Sequence, residues 1–228
     1  MKLLVTDYDN TLELHYDFTD NISILKRNIR AINKFMKKNL VCIATGRHFD
    51  AIYKTLIENN IKFSYLCANN GAELYDGSYN LLFCLPIEGA DLEILMKLGD
   101  KVFFRNPCNS KLISSANIYF DNLKDFEQIK EYLDNNLTKS FVEYKYPKIK
   151  VINEKCNKSD IIKIIQNLEK IDAKSIYTIG DDINDIKMIL HYNGYSLITA
   201  KEETKKAASK LYGELNQLIE DIDNEQDY

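Results

Sequence analysis

The 228-residue sequence lacks paired cysteines, long apolar runs and an excess of basic residues. Its five cysteines are odd in number and include no C-x-x-C pair, so neither a disulfide framework nor a cysteine zinc site is indicated. No apolar run is long enough to span a bilayer. Lysine and arginine total 30 against 34 acidic residues, and this balance does not indicate the basic surface that nucleic-acid binding requires. We therefore expect no nucleic-acid partner and no membrane partner.

The N-terminal sequence and the use of cysteine also indicate a cellular compartment. Met1 leads directly into an apolar run, so we expect no signal segment. Cys42 and Cys67 lie inside strand-like runs, where cysteine behaves as a small core residue. Thiols used in this way favour a reducing compartment, and we expect a cytoplasmic location. The chain length suits one large domain, or a domain that carries a smaller insert.

Strand-like and helix-like segments alternate at both ends of the chain. Short apolar runs predict buried strands at 2–6, 40–44, 63–67, 175–179 and 195–198. Helical spacing of apolar residues predicts helices at 20–38, 49–58, 161–168 and 183–190, and from 214 into an acidic, frayed tail. Ser159 is the predicted N-cap of the third helix. This alternation is typical of βαβ units and a parallel sheet.

The pattern changes in the middle of the chain. Its order becomes α-β-β-α-β-β, with helices at 91–98 and 123–137 and strands at 102–104, 113–120, 140–146 and 148–153. Such an order is typical of a small antiparallel sheet with helices on one face. We predict an α/β protein in which residues 1–81 and 156–228 form a Rossmann-like parallel-sheet core. Residues 82–155 would form an inserted α+β domain.

Two aspartates stand where the first predicted strand ends. In an open parallel sheet, ligands bind just beyond the carboxyl ends of the strands, which is where Asp7 and Asp9 lie. One carboxylate can attack or hold a metal while its neighbour handles protons. The alternative is a turn with two solvated acids, since aspartate and asparagine favour turns.

Other strand ends and one helix start carry polar groups of a matching kind. Thr45 and Gly46 follow the second strand, Lys158 opens the helix after the insert, and the run 180–185 is Gly-Asp-Asp-Ile-Asn-Asp. Each alone has an ordinary explanation as a turn residue, a surface lysine or a helix cap. Together, the acids can hold a hard cation such as Mg²⁺. A hydroxyl, an ammonium group and backbone N–H groups would then neutralise a phosphoryl group.

With these motifs the chain resembles the haloacid dehalogenase superfamily, specifically its Cof-like phosphatases with a type IIB cap. The matching segments are 7–12 for D-x-D-G-T-L, 43–47 for the second motif, 70–72 for a subgroup signature, Lys158 for the third motif and 180–185 for G-D-x-x-N-D. The αββαββ order matches the minimal type IIB cap. Asn10 replaces the usual glycine of the first motif, and asparagine tolerates the left-handed backbone better than most residues.

The resemblance implies a Mg²⁺-dependent phosphatase acting on a small phosphorylated metabolite, such as a sugar phosphate or similar phosphomonoester. Asp7 would be the nucleophile that forms an aspartyl-phosphate. Asp9 would protonate the leaving oxygen and then activate water. The other implied roles are metal binding by Asp7, the Asp9 carbonyl, Asp181 and Asp185, and phosphate binding by Thr45, Gly46, Lys158 and Asn184.

Some residue roles stay open at this point. Arg47 can reach the substrate or pair with an acid, and Asn70 is a further candidate for substrate contact. Asp185 can bind the metal directly or can hold in place the groups that bind it. Three residues of the insert can face the cleft or solvent, namely Arg105, Lys111 and Tyr119.

Three alternative functions use overlapping features. A sugar phosphomutase would return the phosphoryl group to bound product before water attacks. A non-enzymatic phospho-aspartate switch would lack both Asp9 and the insert. A catalytically dead binding module would have lost a motif residue, and none is missing here. The sequence defines neither the individual substrate nor the oligomeric state.

Overall fold

A computed structural model of the protein describes residues 1–14 and 21–224. The predicted helix start at Asp20 and the predicted frayed tail beyond residue 224 lie outside this part of the chain. The described residues form one eight-stranded sheet and one four-stranded sheet.

The large sheet has β1 among its central strands. Its strands, in spatial order, are β12 (Lys210–Tyr212), β11 (Asn193–Leu197), β10 (Ile176–Gly180), β1 (Leu3–Asp7), β2 (Leu40–Ala44), β3 (Tyr65–Ala68), β4 (Glu73–Asp76) and β5 (Leu81–Cys84). The first six pair in parallel, and the last two are antiparallel. The carboxyl ends of the parallel strands therefore meet at one edge of the sheet.

Helices cover both faces of this sheet. Successive residues of a strand point to opposite faces, so Leu4 packs into one apolar layer while Leu3 and Val5 pack into the other. The first layer receives α1 (Asn21–Phe35), α2 (Phe49–Glu58) and α8 (Leu215–Asn224). The second layer receives α5 (Lys158–Glu169), α6 (Ile186–His191) and the end of α7 (Glu202–Ala207). The result is a three-layer α/β core built on the predicted, mostly parallel sheet.

The small sheet lies in the middle of the chain and is wholly antiparallel. Its spatial order is β6 (Val102–Arg105), β7 (Ser115–Tyr119), β9 (Lys148–Asn153) and β8 (Ser140–Lys145). The helices α3 (Gly89–Met96) and α4 (Leu123–Asn136) pack on one face of it, where Leu95 and Leu133 meet Ile149. This is the predicted αββαββ order.

The structure changes three details of the sequence interpretation. The predicted insert begins at Leu82, yet this residue lies inside β5, which pairs with β4 in the large sheet. We therefore place the start of the insert after Cys84. The predicted N-cap at Ser159 is wrong, because the Asn157 side chain accepts the Asp160 N–H at 2.9 Å. Leu168, predicted on the buried face of that helix, is 57% exposed.

Gly194 in β11 provides a test of the close packing between that strand and α6. A Cβ at this position would lie far inside van der Waals contact with the backbone carbonyl of Ile189. Backbone atoms cannot move aside as a side chain can, so we expect Gly194→Ala to lower the free energy of unfolding by about 3 kcal/mol or more. Urea denaturation followed by circular dichroism measures the change.

Gly89 supplies the matched control for this substitution. It is the first residue of α3, and a Cβ there would meet no atom within 4 Å. Gly89→Ala should leave stability unchanged or raise it by up to about 1 kcal/mol, because alanine favours the helix. Equal effects of the two substitutions would show that β11 does not pack against α6 as described.

Candidate active site

A buried lysine joins two carboxylates at the carboxyl edge of the large sheet. Lys158, the first residue of α5, is 1% exposed, and its Nζ donates to Asp7 Oδ1 at 2.5 Å and to Asp185 Oδ1 at 2.7 Å. Asp7 is the last residue of β1. Asn157 caps α5 immediately before Lys158 and so fixes where the lysine enters the site.

The loop after β10 is closed around Asp185. The backbone N–H groups of Asp181 and Asp182 each donate to Asp185 Oδ2 at 3.1 Å. Gly180 ends the strand, and a Cβ there would overlap the Asp185 carboxyl group. Both oxygens of Asp185 are thus used within the protein, one by the loop and one by Lys158. The loop directs Asp181 towards Asp7.

Negative charge exceeds positive charge in this buried cluster. One carboxylate oxygen from each of Asp7, Asp181 and Asp185 lies within 4.8 Å of the others, and Lys158 is the only ammonium in contact with them in the described chain. Burial raises the pKa of Asp7 well above its usual value, and burial together with Asp185 raises the pKa of Asp181 to about 6. Buried, crowded carboxylate oxygens are suitable ligands for a hard divalent cation.

Asp9 and Arg47 form an ion pair beside this cluster. Arg47 Nε donates to Asp9 Oδ2 at 3.0 Å, and a second guanidinium nitrogen contacts the other Asp9 oxygen. The guanidinium lies 4.9 Å from the centre of the Tyr8 ring and 3.7 Å from Glu13. Of the two roles considered for Arg47, the structure therefore contains the pairing with an acid.

The turn after Asp9 has the backbone expected from the sequence. Asn10 has a φ of 58°, in the left-handed region that asparagine tolerates and that glycine usually occupies. Its N–H donates to the carbonyl of Glu13 at 2.7 Å. The replacement of glycine by asparagine is therefore compatible with this loop.

The loops after β2 and β3 place three more predicted residues, Thr45, Gly46 and Asn70, at the same edge, and Asn184 joins them from the loop after β10. Thr45 is buried, and its Oγ1 accepts the Arg47 N–H at 3.0 Å, which leaves the hydroxyl hydrogen to be donated elsewhere. Asn70 has a φ of 56° and accepts from Asn184 Nδ2 at 3.0 Å. Gly46 lies against Asn70, because a Cβ there would be 3.1 Å from Asn70 Oδ1.

These groups open into a cleft of about 630 Å³ between the two sheets. The large sheet contributes Asp7, Asp9, Asn10, Gly46, Arg47, Asn70, Asp181, Asp182 and Asn184. The opposite wall belongs to the β8–β9 hairpin and consists of Glu143, Lys145, Tyr146, Pro147, Lys148 and Lys150. Sequence reasoning missed this wall. Its signal was the set of closely spaced lysines on either side of a proline turn.

The three insert residues singled out from the sequence lie away from this cleft wall. Arg105, Lys111 and Tyr119 are absent from its lining, and Tyr119 is 51% exposed. Lys150 instead connects the two sheets, because its Nζ donates to the carbonyl of Gly46. Burial, with the nearby Lys148, lowers the pKa of Lys150 to about 8.

The sequence matches the family of haloacid dehalogenase-like hydrolases over residues 4–122 and 104–217. The chain belongs to this family. The predicted resemblance to its Cof-like members is thereby confirmed. Among curated proteins, none matches the sequence. Within residues 1–14 and 21–224, no helix combines the length and apolar character needed to cross a membrane.

Solved structures of this superfamily share the fold across nearly the whole chain. A haloacid dehalogenase-like hydrolase from Bacteroides thetaiotaomicron is 18% identical with a TM-score of 0.80, covering 97% of this chain and 99% of its own. The phosphatase BT1666 of the same organism is 18% identical with a TM-score of 0.76, covering 98% and 95%. The subclass IIB sugar phosphatase BT4131 is 18% identical with a TM-score of 0.71, covering 98% of both chains.

The acidic cluster generates a test that requires no substrate. Saturating Mg²⁺ should raise the melting temperature by about 5 °C or more, because a cation bound only by the folded state stabilises it. Asp181→Asn should raise the melting temperature without metal, since it removes one of the crowded charges, and should abolish most of the gain from Mg²⁺. Differential scanning fluorimetry with and without chelator measures both effects.

Asp100→Asn is the control for this test. Asp100 is exposed and lies in the insert, away from the cluster. Its substitution should leave the Mg²⁺-dependent gain unchanged. An undiminished gain in Asp181→Asn would place the cation elsewhere.

Proposed function

We propose that this protein is a Mg²⁺-dependent phosphatase that hydrolyses a small phosphorylated metabolite, a sugar phosphate or similar phosphomonoester. One observation carries the proposal. Lys158 is buried between Asp7 and Asp185, beside Asp181, at the sheet edge that opens into the cleft. Because the five cysteines are free thiols, we place the reaction in a reducing, cytoplasmic compartment.

The metal would be held by oxygen ligands from two strand ends. In this proposal the carboxylates of Asp7 and Asp181 and the carbonyl of Asp9 are the direct ligands. Asp185 would support the metal site without contacting the metal, because Lys158 and the loop N–H groups already use its two oxygens. A bound Mg²⁺ would neutralise charge on the phosphoryl group and orient it. The three buried acids against one lysine fit such a cation.

Asp7 acts as the nucleophile in this proposal. One carboxylate oxygen attacks phosphorus, the bond from phosphorus to the leaving oxygen breaks, and an aspartyl-phosphate forms. Lys158, the Thr45 hydroxyl, the Gly46 N–H and Asn184 would bind the phosphoryl oxygens. Lys158 also counters the rise that burial causes in the pKa of Asp7, which favours the charged nucleophile.

Asp9 serves as the acid and then the base. It gives a proton to the leaving oxygen, and afterwards takes one from the water that hydrolyses the aspartyl-phosphate. Arg47 contacts both Asp9 oxygens in the structure, so it must release at least one of them for this cycle. Arg47 and Asn70 line the cleft and remain the proposed contacts to the substrate.

Substitution of the two aspartates separates their roles. Asp7→Asn should abolish turnover of a generic aryl phosphate, because an amide is neither a nucleophile nor a good metal ligand. Asp9→Asn should slow turnover by about a hundredfold or more, the scale of lost acid–base catalysis. Phosphate release measures both, in Mg²⁺ and again in chelator, where activity should be absent.

Asp50→Asn is a matched control, because Asp50 lies in the first turn of α2 and does not line the cleft. It should keep full activity. Near-native hydrolysis by Asp7→Asn would contradict the proposed nucleophile. With a sugar phosphate as the substrate of the wild-type protein, an isomerised sugar phosphate in place of free phosphate would instead indicate a phosphomutase.

A further inference from the structure

Three lysines lie on the face of the β8–β9 hairpin that borders the cleft. Lys145 and Lys148 are directly opposite each other in the strand register, and Lys150 follows opposite Glu143. Because side chains alternate along a strand, Ile149 points the other way, into the apolar core beneath α4. The hairpin therefore presents a set of ammonium groups to the catalytic acids.

This arrangement is unfavourable for the hairpin itself. Like charges directly opposite each other on neighbouring strands are destabilising. In the part of the chain that the structure describes, neither Lys145 nor Lys148 has a carboxylate within ion-pair distance. Asp182, on the facing wall, is paired with Lys201 at 2.6 Å. Glu143, the one acid of this wall, is opposite Lys150 in the strand register, so Lys145 and Lys148 face each other with no acid opposite either of them.

The positive charge of the hairpin also acts on a histidine of the core, His48. Burial and the neighbouring Arg105, with further contributions from Lys150 and Lys148, lower the pKa of His48. The pKa of Lys150 falls for a related reason, burial beside another lysine. An anion placed at this wall would reduce the repulsion between Lys148 and Lys150.

The transferred phosphoryl group does not account for these lysines. It already has a buried ammonium of its own in Lys158, which contacts Asp7 on the side of the cleft formed by the large sheet. The cleft volume of about 630 Å³ lies within the range of about 300–1,000 Å³ typical of sites that enclose a whole small molecule. There is space for a second part of the substrate against the hairpin.

We propose that Lys145 and Lys148 bind a second anionic group on the substrate, a carboxylate or a second phosphate. The preferred substrates would then carry two anions, one at the aspartates and one at the hairpin. Lys150 holds the hairpin in place through the Gly46 carbonyl. The inference rests on the proposed phosphatase function and narrows its substrate class.

Pairs of substrates that differ by one anion test the proposal. Glucose 6-phosphate is compared with 6-phosphogluconate for the carboxylate, and fructose 6-phosphate with fructose 1,6-bisphosphate for the phosphate. The wild-type protein should show a kcat/KM about tenfold or more higher for one doubly anionic member, as expected for a charged contact. The pair that shows the preference identifies the second anion.

Charge-removing variants then assign the preference to the hairpin. Lys145→Gln and Lys148→Gln should each lower the ratio of kcat/KM values within the pair, and the double variant should bring it close to one. Lys124→Gln removes the same charge from the exposed start of α4, on the other side of the small sheet, and should keep the wild-type ratio. A ratio near one in the wild-type protein, or an equal loss on both members, would overturn the proposal.

A binding measurement separates this inference from the proposed function. Isothermal titration of the same four compounds requires no turnover. Tighter binding of a doubly anionic compound that depends on Lys145 and Lys148 supports the inference even if no phosphate is released. Hydrolysis of the compounds with no such difference would support the phosphatase and overturn the second anion site.

Discussion

The ammonium group of Lys158 lies between two carboxylates that would otherwise repel each other inside the protein. Burial of three ionised groups is costly, and removing one member of such a set typically costs about 3–5 kcal/mol because the others lose their partner. Asp7 and Asp185 reach Lys158 from different strand ends. The positions of β1, of the loop after β10 and of α5 therefore all depend on this one contact.

The chain path explains how the insert and the site are coupled. The insert ends shortly before α5, so the chain that leaves the small sheet passes through Asn157 into Lys158. Gly71 has a φ of +98°, and a Cβ there would overlap the backbone of Asn157. The loop after β3 thus lies directly against the start of α5. A second connection runs from Lys150 to the carbonyl of Gly46, so the hairpin of the insert also contacts the core directly.

Much of the site could be predicted because its residues follow strongly apolar strands. A buried strand that ends in aspartate, or in glycine followed by aspartate, gives a clear signal, and parallel pairing brings such ends together. The αββαββ order of the insert could also be predicted, from the order of its helix-like and strand-like segments. The family motifs then supplied roles for Asp7, Asp9 and Lys158 that spacing alone would have left open.

The remaining features depend on tertiary contacts that have no local signal. The strand β4 begins with a buried glutamate, Glu73, which is satisfied by the hydroxyls of Tyr75 and Ser114. A polar residue at such a position does not predict a strand. The strands β5 and β12 are short segments of the sheet, and which neighbour they pair with cannot be derived from their residues. The hairpin wall was missed for the same reason, because only its position opposite Asp7 gives its lysines a function.

Trapping of the phosphorylated enzyme shows directly whether Asp7 is the nucleophile. An aspartyl-phosphate is an acyl phosphate, so borohydride added during turnover reduces it to the alcohol of homoserine. Mass spectrometry of the peptide that contains both aspartates then locates the change. We expect homoserine at position 7, with Asp9 unchanged. Reduction at Asp9, or turnover with no reduced residue, would contradict this expectation.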